Sequence, residues 1–311
     1  VLAFLLGACG GTIEVESAKF SDLHGELVAC ADGPTVDGID VSYWQTITSW
    51  TDIANSGIEF AFIRVSDGDP NNGGVEDTDF DANWANAKAA GVIVGAYQFF
   101  RPNQGAQAQA DYLIGKLGGA MTPGDLPPVC DVEASGGLSH SQVIAAVQTW
   151  VDRVQNQLGV VPIIYTSAGL WSSYTGDTNQ FASYPLWVAN FTYDVNSTFL
   201  VPDGWSQWHF WQWSDQGTVP GISNHVDLNV FNGTLAELMA LTYGEPACGD
   251  GYCNGDETNA TCPQDCPVCE NVPPMGRIVD DADLCFEERG TASYWRYITD
   301  DGYGNTLLWT H

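Results

Sequence analysis

The chain has 311 residues, 44% of them hydrophobic, with 39 acidic side chains against 9 basic ones and a formal charge of -30. That length supports one large core plus something smaller, and the apolar opening is too short to span a bilayer. The charge argues against nucleic acid as a partner, because phosphate binding needs basic patches.

Residues 1–9 read as the end of a signal-peptide apolar region followed by a processing site. Leu6-Gly-Ala-Cys9 resembles a bacterial lipobox, whose cysteine carries lipid after cleavage; a plain secretory signal with an incidental cysteine is the alternative. Either reading exports the protein, as an envelope lipoprotein anchored through Cys9 or as a secreted molecule. Residues 10–35 are polar and unpatterned, the composition of a linker. From Gly38 the text becomes regular: 38–42 reads as a strand with Ile39 and Val41 on one face and Asp40 on the other. A helix over 50–56, a strand over 60–65, a helix over 82–90, a strand over 91–99 and a helix over 104–117 follow.

The next strand, Leu126-Pro-Pro-Val-Cys-Asp-Val-Glu133, ends in two carboxylates. A period of two puts Asp131 and Glu133 on one face and Val132 on the other. Two acids in one small volume push one pKa up, leaving one group able to donate a proton and the other ionised; two solvated acids at a strand end are the bland alternative. Residues 139–158 form the clearest helix, with Val143, Val147, Trp150, Val151, Val154 and Leu158 recurring at steps of three and four and Gly159 ending it. Short strands over 161–166, 185–190, 209–213 and 226–230 complete the pattern. Strand and helix alternate through the first half, which implies a parallel sheet. The expected fold is α/β, a TIM-like (β/α) barrel with a reduced helical coat over residues 36–243, with reacting groups at the strand ends.

On that scaffold Asp40, Asp131, Glu133 and Asp227 converge near strand ends. Trp44, Tyr97, Phe99, Tyr165, Trp187, Trp211 and Trp213 follow the same positional logic, and aromatic faces stack well on the apolar C–H face of sugar rings. Glycoside hydrolysis needs one protonated carboxyl for the leaving oxygen and a second group for the oxocarbenium-like charge. No nucleophile elbow, phosphate loop or zinc helix competes with that reading, and the five histidines are scattered.

Gly38-Ile-Asp-Val-Ser-Tyr-Trp-Gln45, Gly95-Ala-Tyr-Gln-Phe99, the Leu126–Glu133 run, Ile163-Ile-Tyr-Thr-Ser167, Leu186-Trp-Val-Ala189, Trp211-Gln-Trp-Ser214 and Gly221-Ile-Ser-Asn-His-Val-Asp-Leu-Asn229 stand in an order that resembles glycoside hydrolase family 25, the secreted and phage-type lysozymes. The resemblance covers about residues 36 to 242. It implies cleavage of the β-1,4 bond between N-acetylmuramic acid and N-acetylglucosamine, with Glu133 as proton donor and Asp131 orienting the acetamido group or stabilising a cyclic intermediate. Asp40 and Asp227 complete an acidic floor, and Tyr97, Tyr165, Trp187 and Trp211 contact the sugar. Gln98 and Arg64 depart from the usual His and Lys, and Cys130 replaces an aliphatic residue. The partners implied are peptidoglycan glycan strands, met by a monomer without cofactor. A catalytically inactive cell-wall-binding protein on the same barrel is the alternative.

Six of the nine cysteines fall between Cys248 and Cys285. The module at 246–266 is too small for a core and must be held by disulfides or by calcium on Asp250, Asp256, Glu257 and Asp265. Residues 267–311, with alternating Tyr294, Trp295, Tyr297, Tyr303 and Trp309, read as the start of a truncated accessory β domain. Cys30 and Cys130 are not expected to meet.

Overall fold

The computed structural model describes residues 27–31 and 33–244, and outside them only paired strands at Phe4–Leu6 with Thr12–Glu14, Glu287–Arg289 with Ala292–Tyr294, and Tyr297–Asp300 with Thr306–Trp309. Cys9 and the expected module at 246–266 lie outside the described residues.

Eight strands close into a barrel: β1 (Thr35–Val41), β2 (Phe60–Asp67), β3 (Ile93–Phe99), β4 (Leu126–Asp131), β5 (Ile163–Thr166), β6 (Leu186–Ala189), β7 (Phe210–Gly217) and β8 (Val226–Asn232). Strands adjacent in sequence are adjacent in space, and β1 pairs with both β2 and β8 to shut the ring. Helices α1 (Trp50–Asn55), α2 (Phe80–Ala89), α3 (Ala106–Lys116), α4 (His140–Leu158) and α5 (Ala168–Thr175) each follow one of the first five strands. The short α6 (Leu235–Ala240) comes after β8 and places Leu238 against the inner core.

The expectation of a parallel sheet holds for β1 to β7 and fails for β8, which is antiparallel to both of its neighbours. The connection from β7 is residues 218–225, too short for the crossover of about a dozen residues that a parallel return requires. The expected linker also needs correction at its end. Leu27–Ala29 pairs antiparallel with Phe199–Val201, and Ala29 and Cys30 are buried there.

Alternation along each strand divides the apolar residues into two layers. Val36, Phe60, Phe62, Val129, Ile163, Trp187, Phe210 and Phe231 fill the barrel. Ile39, Val41, Ile63, Val65, Cys130 and Val132 point outward, into one cluster with the apolar stripe of α4. Ser139 and Gln142 form a capping box at the start of α4, and Gly159 ends it at φ 72°. Cys130 is a free buried thiol and behaves as a small apolar side chain, whereas Cys30 is disulfide-bonded, so the two do not pair.

Inside the barrel the aromatic rings leave no channel. Phe62 stacks on Trp187 at 4.4 Å, and Phe60 and Phe62 both meet Phe210 edge-on at 5.3 and 5.1 Å. Gly38 makes this packing possible, because a Cβ there would overlap the Phe60 ring. Gly38→Ala is therefore expected to lower stability by about 1–3 kcal/mol, measured as a lower urea midpoint at unchanged slope. A variant as stable as the parent would show that the ring is not held against β1.

Candidate active site

The inward positions at the C-terminal ends of the parallel strands are polar. Asp40 of β1 is 4% exposed and Asp131 of β4 3% exposed. Glu133, two residues on, is half-buried just past the strand. Asp227 stands near the start of β8, and on a parallel strand it would lie at the opposite end of the barrel. Because β8 runs backwards, Asp227 is directly opposite Asp40 in the register and joins the same mouth. The structure thus brings the four acids together.

The Asp40 carboxylate is built into a network. Its Oδ2 accepts from Gln212 Nε2 at 2.7 Å and from Asn229 Nδ2 at 2.8 Å. Each amide is turned the right way by a donor on its far side: Tyr165 Oη donates to Gln212 Oε1 at 2.7 Å, and Trp187 Nε1 donates to Asn229 Oδ1 at 2.8 Å. Phenol and indole N–H can serve here because both stay neutral. Burial first, and then the surrounding carboxylates, hold the Tyr165 hydroxyl well above the ordinary phenol range. Gln212 and Asn229 were not singled out from the sequence. The signal was strand parity, since each faces inward between outward-facing neighbours in the blocks 211–214 and 221–229.

The four acids divide into two hydrogen-bonded pairs. Burial, followed by the charge of Asp40, pushes Asp227 up to about 9, so that it holds a proton and donates to Asp40. Asp40 is raised by burial but supported as an anion by Asn229, Gln212, Asp227 and the charge of Arg64. In the second pair, burial and then the Glu133 charge lift Asp131 well above the carboxylate range, and burial also raises Glu133. Asp131 and Glu133 are hydrogen-bonded to each other, so the pair retains a proton to higher pH than either acid would alone. Asp131 Oδ1 is buried with no partner.

Arg64, a departure noted from the sequence, brings a cation to this site. Its Nε donates to the buried Asp77 at 2.9 Å, its guanidinium lies 4.5 Å from the Tyr43 ring centroid, and Nη2 has no partner. Tyr97 faces inward beneath the acids at 9% exposure. Trp187 also faces inward but is 1% exposed, a floor to the site rather than an open face.

Trp211 is a correction. It points outward from β7, is 0% exposed, stacks on Phe199 at 4.1 Å and donates to the Asn190 carbonyl at 3.0 Å. The strand period that brings Gln212 inward turns Trp211 out. Gln98 likewise faces away from the mouth: it donates to Ser66 Oγ and accepts from Trp150 Nε1, so this departure touches no substrate. A cavity of about 550 Å³ bordered by Tyr43, Gln45, Asn83 and Asn86 includes none of the four acids. Among the described residues no three His, Cys, Asp or Glu side chains are grouped to hold a metal ion, and no helix is long and apolar enough to cross a membrane.

The profile described as glycosyl hydrolases family 25 matches residues 39–222. Lysozyme M1 of Streptomyces globisporus is 38% identical over 220 residues, 68% of this chain and 72% of that protein. An N,O-diacetylmuramidase of a Chalaropsis species is 31% identical over 223 residues, 68% of this chain and 100% of its own. Among solved structures, the bacterial lysozyme from Streptomyces coelicolor superposes with a TM-score of 0.62 at 38% identity, covering 68% of this chain and 98% of that one.

The proton on Asp227 has a thermodynamic consequence. In the unfolded chain this carboxyl titrates near 3.9, and in the folded chain at about 9. Between those values the native state binds more protons, so its contribution to stability falls as pH rises. Asp227→Asn is expected to flatten the decline of melting temperature between pH 5 and 9, which about brackets this titration, and to melt a few degrees above the parent at the alkaline end. An unchanged slope would show that Asp227 is ionised in the native protein.

Proposed function

The chain belongs to glycosyl hydrolases family 25 and is a lysozyme-type glycoside hydrolase, and we propose that it cleaves the β-1,4 bond between N-acetylmuramic acid and N-acetylglucosamine in peptidoglycan, with Glu133 as proton donor. The observation that carries this reading is the hydrogen-bonded Asp131–Glu133 pair sharing one mouth with the Asp40–Asp227 pair. The names of the relatives, lysozyme and N,O-diacetylmuramidase, support the same substrate.

Glu133 is the more exposed member of its pair and reaches the leaving oxygen. Asp131 cannot be a nucleophile working across the scissile bond from Glu133. Two carboxyls that flank a glycosidic bond in a retaining enzyme stand about 5 Å apart with the sugar between them, and these two touch. Asp131 instead meets the acetamido group. Its carboxyl accepts the amide N–H, the acid ionises, and the shared proton passes to Glu133, where it is needed. The acetamido oxygen, aimed by the N–H bond to Asp131, then attacks the anomeric carbon as the bond to the leaving oxygen breaks and Glu133 protonates that oxygen. Water opens the cyclic intermediate with Glu133 now acting as base, which gives retention. Asp40, kept anionic by Gln212 and Asn229, faces the developing positive charge, and Tyr97 and Tyr165 line the floor beneath the sugar.

Export completes the proposal, with lipid attachment at Cys9 and action as a monomer at the cell wall. Leu6-Gly-Ala-Cys9 is its support.

Glu133→Gln is expected to lower release of new N-acetylmuramic acid reducing ends from peptidoglycan by at least about 100-fold while leaving wall binding intact. Asp131→Asn should likewise bind and fail to turn over, since an amide neither ionises nor hands on a proton. Equal release by Glu133→Gln and the parent would remove Glu133 from the donor role. Binding with no release by the parent would favour the inactive wall-binding alternative.

A further inference from the structure

The loop that follows β6 holds two aromatic side chains in solvent. Phe191 is 43% and Tyr193 57% exposed, with ring centroids 6.4 Å apart and planes tilted by 45°. Trp187, Phe210 and Trp211 of β6 and β7 are buried and Trp213 is partly so, which sets these two apart from the core. The loop is not slack. The Asn190 N–H donates to the Gln212 carbonyl at 3.1 Å and the Tyr193 N–H to the Trp213 carbonyl at 3.0 Å, stitching it to the strand that supplies Gln212.

Two locally unfavourable features coincide there. Tyr193 sits at φ 57°, a left-handed conformation uncommon for a bulky side chain. Asp215, whose Oδ1 is buried without a partner, lies close enough to act electrostatically on the Tyr193 phenol. Backbone strain and unsatisfied buried groups persist where the surroundings demand them, most often at binding sites. The left-handed backbone and the stitches to β7 set where the exposed ring leaves the chain. The loop leaves the C-terminal end of β6, and the C-terminal ends of the parallel strands are where the acids gather.

We propose that Phe191 and Tyr193 form an additional subsite that stacks on an N-acetylhexosamine of the glycan strand, beyond the sugars held over the four acids. This rests on the glycan-hydrolase reading and extends it to a position outside the reacting pair. The occupant is a neutral sugar for a physical reason. The rings offer faces to C–H groups, and the nearest charges are carboxylates, which favour the uncharged N-acetylglucosamine of the strand over its N-acetylmuramic acid, whose lactyl group is itself a carboxylate. The loop also lies at the barrel end that the same polymer must already occupy.

The test uses the full chain made inactive by Glu133→Gln, titrated calorimetrically with peptide-free peptidoglycan strands of four and of eight sugars. Tyr193→Asn, added to that background, removes the ring while keeping a residue that tolerates the left-handed backbone. It is expected to weaken binding of the eight-sugar strand by about three- to tenfold and to leave the four-sugar strand unchanged. Tyr193→Phe should retain most of the difference, and in the active enzyme Tyr193→Asn should raise KM on long strands without altering kcat. Equal affinity of Tyr193→Asn and its parent for the longer strand, or equal weakening for both strands, would overturn the subsite. Failure of the Glu133→Gln chain to bind either strand would instead overturn the glycan-hydrolase reading, and the subsite with it.

Discussion

A buried carboxylate that must stay charged sets the terms for the rest of this molecule. Asp40 is almost wholly withdrawn from water, and an isolated anion there would simply take up a proton. It is kept ionised by amides from β7 and β8, and each amide is itself oriented by an aromatic donor from β5 or β6. Four strands thus contribute to one charge. Reversing either amide would present an oxygen to an oxygen, so the neutrality of Tyr165 and the position of the Trp187 N–H matter as much as the carboxylate.

The same charge explains the division of labour among the acids. With Asp40 anionic, Asp227 beside it retains its proton, and Asp131 and Glu133 across the mouth cannot both ionise without cost. Like charges at close range with little water between them force protons to be shared. Arg64 offsets part of that repulsion, and Asp77 holds it in place through a contact that also engages the Tyr43 backbone. The mouth is therefore a set of carboxylates poised at different protonation states by position alone, as acid-base chemistry at a single pH requires.

Most of this was legible in the sequence, for reasons that particular residues show. Asp40, Asp131 and Glu133 announce themselves because strand parity and a terminal position together leave few alternatives for a charged side chain. The long stripe from Val143 to Leu158 and the capping Gly159 did the same for α4. Other features were hidden. α5 and α6 are too short for periodicity to stand out, and the Leu27–Ala29 strand exists only because Phe199–Val201 is there to pair with it. The direction of β8 is not written in its own residues; the brevity of residues 218–225 was the available sign. Trp211 was misplaced because a tryptophan beside an inward Gln212 looks the same in sequence whichever of the two turns in.

The aromatic plug beneath the acids has a consequence for how a polymer is handled. With Phe62 stacked on Trp187 and meeting Phe210 edge-on, the ring of strands is filled by side chains rather than open along its axis. A long chain cannot be threaded through and reeled past the reacting groups. It has to be laid crosswise over the rim, and both fragments leave by the way they came. Such a topology needs no free end to begin.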